Sequence, residues 1–343
     1  MNPIIRMASA AAFSAALLML PTAAKADSVP VTVAQSSNSM NFIPVYIANQ
    51  RGYFGDEGLK PEISLAGGGT KAMTATLSGS VDIGISVLTD VIKAHRRGQK
   101  NVKVVGVLLR GYPSGITLST KAAAEAGVTA DSTLADRVRA LKGKKVGITA
   151  PGAFSDTLVR TLASTHGLDP DRDMDIVPIG GFDNMLAAFR TGQVDACACV
   201  PPADVMLVNE KVGIPLVDPM KDLDASEIPT AVVYAMADTI EKKRDVVVGF
   251  VRALARAEAL LAENPDDAAA ATQVELAQLD SGTFQSVWPI FSKLVPASPE
   301  ITAHGLELEL AFQKVTEPNA QDVPFDQIAD LSVIKEATSA KPN

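Results

Sequence analysis

The sequence predicts an α/β protein built from two similar halves. Three observations carry that prediction. Short β-branched runs alternate with helical segments, Gly and Pro punctuate the junctions, and one 17-residue stretch returns at a fixed offset. GGGTKAMTATLSGSVDI (67–83) aligns without gaps on GGFDNMLAAFRTGQVDA (180–196), 113 residues later. Gly67, Gly68, Ala75, Gly79, Val81 and Asp82 all meet identical partners, six in 17. Strands and helices alternating this regularly make βαβ units with parallel pairing. Any α/β chain needs Gly around its helices, but paired Gly and paired Val-Asp at one offset favour duplication.

The elements follow in order. Val29 to Gln35 is a β-branched strand, then SSNSMNFI is a polar loop, and Pro44 opens a helix closed by Gly52. Leu59 to Leu65 is a second strand. GGGT leads into a helix with Met73, Thr76 and Leu77 on one face, and VDIGISV is a third strand. Leu88 to Arg97 is helical, with KAHRRGQK (93–100) as its solvated end. VKVVGVLL is apolar apart from Lys103, the kind of strand buried in a parallel sheet. The pattern then restarts: helix 134–141, strand KVGI, loop TAPGAFSD, a helix to Gly167, strand DIVPI, loop and helix GGFDNMLAAFRTG, strand VDACACV, helix PPADVMLVNEK and strand IPLV. From Asp238 one long helix is expected to about Asn264, followed by Pro-broken helices.

Composition narrows the function. Met7 to Leu20 is an apolar run after Arg6, and Ala24-Lys25-Ala26 offers a small-x-small cleavage pattern, so cleavage is expected between Ala26 and Asp27. Residues 1–26 thus read as a Sec signal peptide, and no Cys follows to carry a lipid anchor. About 317 residues remain, and losing Arg6 and Lys25 takes the net charge from −8 to −10. An acidic chain disfavours nucleic acid and anionic membrane as partners. Cys197 and Cys199 sit as C-x-C in a strand, where residues two apart are about 6.5–7 Å from each other, so buried free thiols are expected. No His or second Cys pair lies near them, and no metal or cofactor is expected.

The runs PVYIANQRGYFGDEGL, LSGSVDIGI, LKGKKVGITAPGAFSD and PIGGFDNMLAAFRTGQVDA closely resemble solute-binding proteins of ABC importers. The branch they resemble serves nitrate, sulfonates, taurine, bicarbonate and thiamine-precursor pyrimidines, and the likeness runs from about Val29 to Tyr234. It implies the type 2 periplasmic binding-protein fold: two Rossmann-like lobes around a central cleft, joined by two crossover strands. Lobe I would comprise 29–115 plus 228–343, with 118–224 inserted as lobe II and crossings near 116–120 and 226–232. It also implies a periplasmic, monomeric protein that captures a small molecule by hinge closure and hands it to an inner-membrane permease. A sensor module and a small-molecule enzyme on the same fold are the alternatives.

A receptor of this kind needs preorganised donors and an apolar wall, with no nucleophile. The loop after the first strand offers Ser36, Asn38, Met40, Asn41 and Phe42. Gly69 and Thr70 open a helix whose free N–H groups favour an anionic guest. Ser86 follows the third strand, and Arg110 is the cation at the end of the fourth. The second half supplies Gly152, Ala153, Phe154 and Ser155, then Phe182 and Asp183, then Pro201. Helix capping alone would also account for Thr70, Ser155 and Asp183, and a core role for the two Phe. Val200 stands where family members often carry an acidic residue, a departure that argues against an amine such as taurine. The paired helix starts favour a sulfonate, nitrate or carboxylate, and the two Phe leave room for an aromatic compound. No P-loop or G-x-S-x-G is present, so no catalytic residue is expected.

Overall fold

Ten strands fall into two five-stranded sheets of matching design in the structure, a computed structural model that describes residues 28–199, 201–223 and 225–339. The expected signal peptide and its cleavage point at Ala26 and Asp27 lie outside the described residues. The first sheet takes β1 (Val29–Gln35), β2 (Leu59–Leu65), β3 (Ile83–Val87), β4 (Val102–Arg110) and a late arrival, β10 (Pro229–Met236), in the order β2-β1-β3-β10-β4. The second takes β5 (Gly115–Ser119), β6 (Lys145–Ile148), β7 (Asp175–Pro178), β8 (Ala196–Cys199) and β9 (Gly213–Val217), in the order β7-β6-β8-β5-β9. The chain passes from the first sheet to the second between Arg110 and Gly115, and returns between Val217 and Pro229.

The sequence echo is a structural repeat. β1, β2 and β3 stand in the first sheet where β6, β7 and β8 stand in the second. The repeated Asp has one task in both. The carboxylate of Asp82 accepts the N–H of Thr32 at 3.2 Å, and that of Asp195 accepts the N–H of Lys145 at 2.9 Å. In return the N–H groups of Asp82 and Asp195 donate to the carbonyls of Thr32 and Lys145. Each Asp therefore locks the start of one strand against its neighbour, which fixes the register on which inward and outward side chains depend. Lys243 adds an ion pair to Asp82 at 2.6 Å.

The pairing is mixed: the strands of the repeat pair in parallel, as expected of βαβ units, and the crossover strands pair antiparallel. β10 runs antiparallel to both β3 and β4, and β5 antiparallel to both β8 and β9. The apolar β4 is therefore buried at the edge of a mixed sheet. Its free edge is covered by two backbone bonds, Val107 N–H to the Pro299 carbonyl and Asp330 N–H to the Val104 carbonyl. β5 and β10 are the two crossover strands, close to the crossings at 116–120 and 226–232 that the resemblance implied.

Apolar side chains cover both faces of each sheet. Phe42, Ile47, Phe250 and Leu254 pack on one face of the first, with Leu88, Ile92, Val232 and Leu310 on the other. Leu118, Leu158 and Leu162 fill one face of the second, with Met185, Phe189 and Leu207 opposite. The C-terminal helices belong to the first lobe. The long helix expected from Asp238 is two, Ala237–Lys242 and Arg244–Glu263, because Lys243 leaves helical geometry at φ −128°, ψ 40°. The run 93–100 is less solvated than expected: His95 is buried on the Val102 carbonyl, and Arg96 bonds Gln313 and Glu317.

Cys197 and Cys199 are fully buried and joined by a disulfide. This corrects the expectation of free thiols. Their Cα atoms are 5.2 Å apart, shorter than ideal strand spacing and inside the range of about 4.4–6.8 Å that a bridge spans.

Candidate ligand-binding cleft

A cavity of about 260 Å3 lies between the lobes. The loop after β6 and the helix Phe154–Thr165 form its second-lobe wall. The end of β3, the start of helix Leu88–Arg96, Thr230 and the helix Ala303–Lys314 form the wall opposite. Tyr112, in the first crossover, stands between them.

Three rings dominate the cleft. Phe154 stacks on Tyr112 with centroids 3.6 Å apart and planes 22° from parallel, and on Phe312 at 5.1 Å and 26°. Phe154 belongs to the second lobe and Phe312 to the first, so the stack joins the lobes through the crossover. One turn along, the Thr157 and Thr316 hydroxyls lie 3.2 Å apart and make a second bridge.

Beside the rings are two buried carboxyl groups in contrasting states. Glu309 is fully provided for: it accepts from Tyr112 Oη at 2.5 Å, Thr89 Oγ1 at 3.0 Å and Gln313 Nε2 at 2.5 Å. Burial still raises its pKa, and these bonds pull it partway back. The same burial, with the neighbouring Glu309 charge, pushes the Tyr112 phenol well up. Asp90 is different. Burial raises its pKa against the pull of Ser86 and Lys93, and its Oδ2 has no hydrogen-bond partner. Gly69 makes room for that oxygen: a Cβ there would sit 1.8 Å from it. That oxygen is sealed against Gly69 inside the first-lobe wall, a polar atom without a partner at the edge of the cleft.

Of the residues expected at the site, the structure brings five to the cleft region. Gly152, Ala153 and Phe154 line it, Gly69 lies against Asp90, and Ser86 bonds Tyr234 beside Asp90. The others sit elsewhere. Met40 and Phe42 are core residues of the first lobe, in the turn that packs against β4 and β10. Ser36 is held by sheet bonds, its N–H to Ile85 and its carbonyl to Gly68. Asn38 reaches the Glu275 carbonyl and Gln278, and Asn41 is half-buried outside the lining. Thr70 and Asp183 are exposed. Ser155 is buried and accepts the Thr149 N–H at 3.0 Å, so its hydroxyl braces its own loop. Arg110 is engaged by Glu227 at 3.0 Å and by the Glu300 carbonyl, away from the cleft. Pro201 is buried outside the lining, and the side chain of Phe182 lies outside the described set.

Residues that sequence reasoning missed do much of the lining. Tyr112 was signalled faintly, as the aromatic in RGYPSG directly after β4. Asp90 sits in the first turn of the helix after β3. Glu309, Phe312 and Gln313 share one helix face at i, i+3 and i+4, a pattern with no local mark of a site.

The profile of the family described as NMT1/THI5 like matches residues 39–268. The chain belongs to that family. Its relatives include a Bacillus subtilis (strain 168) protein named "Putative binding protein YtlA", 24% identical over 347 residues, covering 99% of this chain and 100% of that one. A Candida albicans (strain WO-1) relative named 4-amino-5-hydroxymethyl-2-methylpyrimidine phosphate synthase is 26% identical over 236 residues, 66% of this chain and 65% of its own length. The periplasmic aliphatic sulphonate binding protein SsuA from Escherichia coli superposes with a TM-score of 0.68 at 19% identity, over 88% of this chain and 97% of that one. At that identity the likeness establishes the fold, which is that of the periplasmic solute-binding proteins of ABC importers.

Proposed function

We propose that this family member is the periplasmic receptor of an ABC importer, holding a small planar heterocycle with N–H donors between its lobes and delivering it to a membrane permease. The observation that carries the reading is the ring stack of Tyr112, Phe154 and Phe312, which joins both lobes beside the Asp90 carboxyl in the cleft lining. A ligand ring entering that stack would touch both lobes, the condition for a guest to shift an open–closed balance. The ionisable lining is Asp90, Glu309, Glu317 and Lys93. Glu317 is paired with Arg96, and Asp90 and Glu309 beside the single Lys93 suit a donor-bearing ring better than the sulfonate or nitrate expected from the helix starts. Thr70 and Ser155, which supported an anion, are respectively exposed and committed to Thr149.

A thermal-shift screen of aminopyrimidines, aromatic carboxylates, alkanesulfonates and nitrate tests this. An N–H-bearing heterocycle is expected to raise Tm. Asp90→Asn, which turns an acceptor into a mixed group, is expected to weaken its binding about tenfold. A shift produced only by sulfonates or nitrate, unchanged in Asp90→Asn, would overturn the ligand class. Recovering the compound unaltered after long incubation separates a receptor from the synthase activity named for the Candida relative.

A further inference from the structure

A second cavity, of about 290 Å3, lies where the chain crosses between the lobes, and it shares no lining residue with the aromatic cleft. Neighbours in the crossover part there: Tyr112 lines the cleft and Pro113 the second cavity. Its walls are largely apolar, with Thr117 and Asn209 among them, and come from separate parts of the chain. Pro113 and Ile116 belong to the outward crossing and Val217 to the end of β9. Val205 and Val208 belong to the helix Ala203–Asn209, and Ile290 to the helix Ser281–Phe291, which packs on the first lobe.

The ionisable lining of this cavity is acidic, with no Lys, Arg or His among its described residues. Its two carboxylates are not equivalent. Asp218 accepts the Met220 N–H at 3.0 Å and lies 3.7 Å from Lys221 Nζ. Asp204 accepts the Val205 N–H at 2.8 Å, and no side-chain donor or cation reaches it among the described residues. Burial, with Asp218 adding repulsion, pushes the Asp204 pKa up to about 7. A carboxylate in apolar walls without a counter-ion gains most from a guest that brings one.

We propose that this cavity is a second binding site for a small organic ammonium, its apolar body against Ile116, Val217 and Ile290 and its N–H groups on Asp204. The volume falls just below the usual range for ligand pockets, about 300–1,000 Å3, which fits a single ring or a short alkyl chain. The reading does not depend on the ligand of the aromatic cleft.

Calorimetric titration of the full chain with benzylammonium chloride at pH 8 tests it, with benzyl alcohol as the uncharged control. Saturable binding of the ammonium is expected, without binding of the alcohol. Asp204→Asn is expected to weaken it at least about tenfold, and Val208→Trp to abolish it by filling the cavity. Asp90→Asn, in the cleft, is expected to leave it unchanged. Equal binding by Asp204→Asn or by benzyl alcohol, loss in Asp90→Asn, or no saturable binding to the wild type would each overturn the proposal. Far-ultraviolet circular dichroism checks that each variant is folded, and the Val208→Trp arm decides the matter if Asp204→Asn is not.

Discussion

Replacing Phe154 with Ala removes the ring that ties the second lobe to the crossover and to the first lobe. Two stacked contacts are lost, to Tyr112 at 3.6 Å and to Phe312 at 5.1 Å. Aromatic pairs contribute about 0.5–1.5 kcal/mol each, so the lobes lose about 1–3 kcal/mol of mutual attraction. The Thr157–Thr316 bridge at 3.2 Å remains, and a neutral hydrogen bond of this kind retains only about 1 kcal/mol. The balance between apposed and parted lobes therefore shifts about five- to 150-fold toward parted. Small-angle scattering of the ligand-free protein reads this directly as a larger radius of gyration. Phe154→Trp, which keeps a ring in place, is expected to stay near wild type. Phe154 is only partly buried, beside the second-lobe core and outside it, so thermal unfolding should move little. Identical scattering from Phe154→Ala and wild type would refute the idea that this stack holds the lobes together.

Two further predictions concern buried acids. Glu258 is 1% exposed, neither carboxylate oxygen has a partner, and Arg110, the nearby cation, is engaged by Glu227. Burial pushes its pKa well above the usual range, so the folded state keeps a proton that the unfolded chain releases above about pH 4.3. Its contribution to stability falls as pH rises from there. Glu258→Leu is expected to stabilise by about 2 kcal/mol or more at pH 8 and by less at pH 4.5, read by denaturant unfolding. Asp204, with a folded pKa of about 7, obeys the same sign over a narrower window: stability declines between about pH 4 and pH 7 and then levels off. Asp204→Asn should flatten that segment of the Tm–pH curve, and an unchanged curve would show that the carboxyl is not held in its neutral form.

The α/β plan and the duplication were legible because backbone demands write themselves into local sequence. Gly68 and Gly181 precede equivalent helices, and Asp82 and Asp195 bond equivalent neighbouring strands. These are the same residues whose repetition first suggested two halves. β5 and β10 were legible only through the family resemblance, which placed the crossings, since nothing local distinguishes a strand that enters a sheet from the other lobe. Cys197 and Cys199 were misread because ideal strand spacing was assumed where the chain is contracted.

The cleft was half legible, for a physical reason. Gly152, Ala153 and Phe154 stand in a loop whose composition betrays exposure and close approach. The polar loop Ser36–Phe42 looked equally promising, yet Met40 and Phe42 turn inward and Asn38 bonds the Glu275 carbonyl. Polarity beside a strand end reports unsatisfied groups without saying whether protein or ligand will satisfy them. Glu309 and Phe312 come from the C-terminal helices, about 150 residues from Phe154 in sequence. Only tertiary packing brings them to the same space.

The account rests on a guest being gripped by both lobes at once, and distance measurement between them tests that most directly. Spin labels would be placed at exposed Lys121 in the second lobe and exposed Glu62 in the first, and pulsed electron resonance would be recorded with and without the compound that gives the largest thermal shift. The account predicts a shorter and narrower distance distribution at saturation, lost in Phe154→Ala. A distribution unmoved by saturating ligand would contradict it.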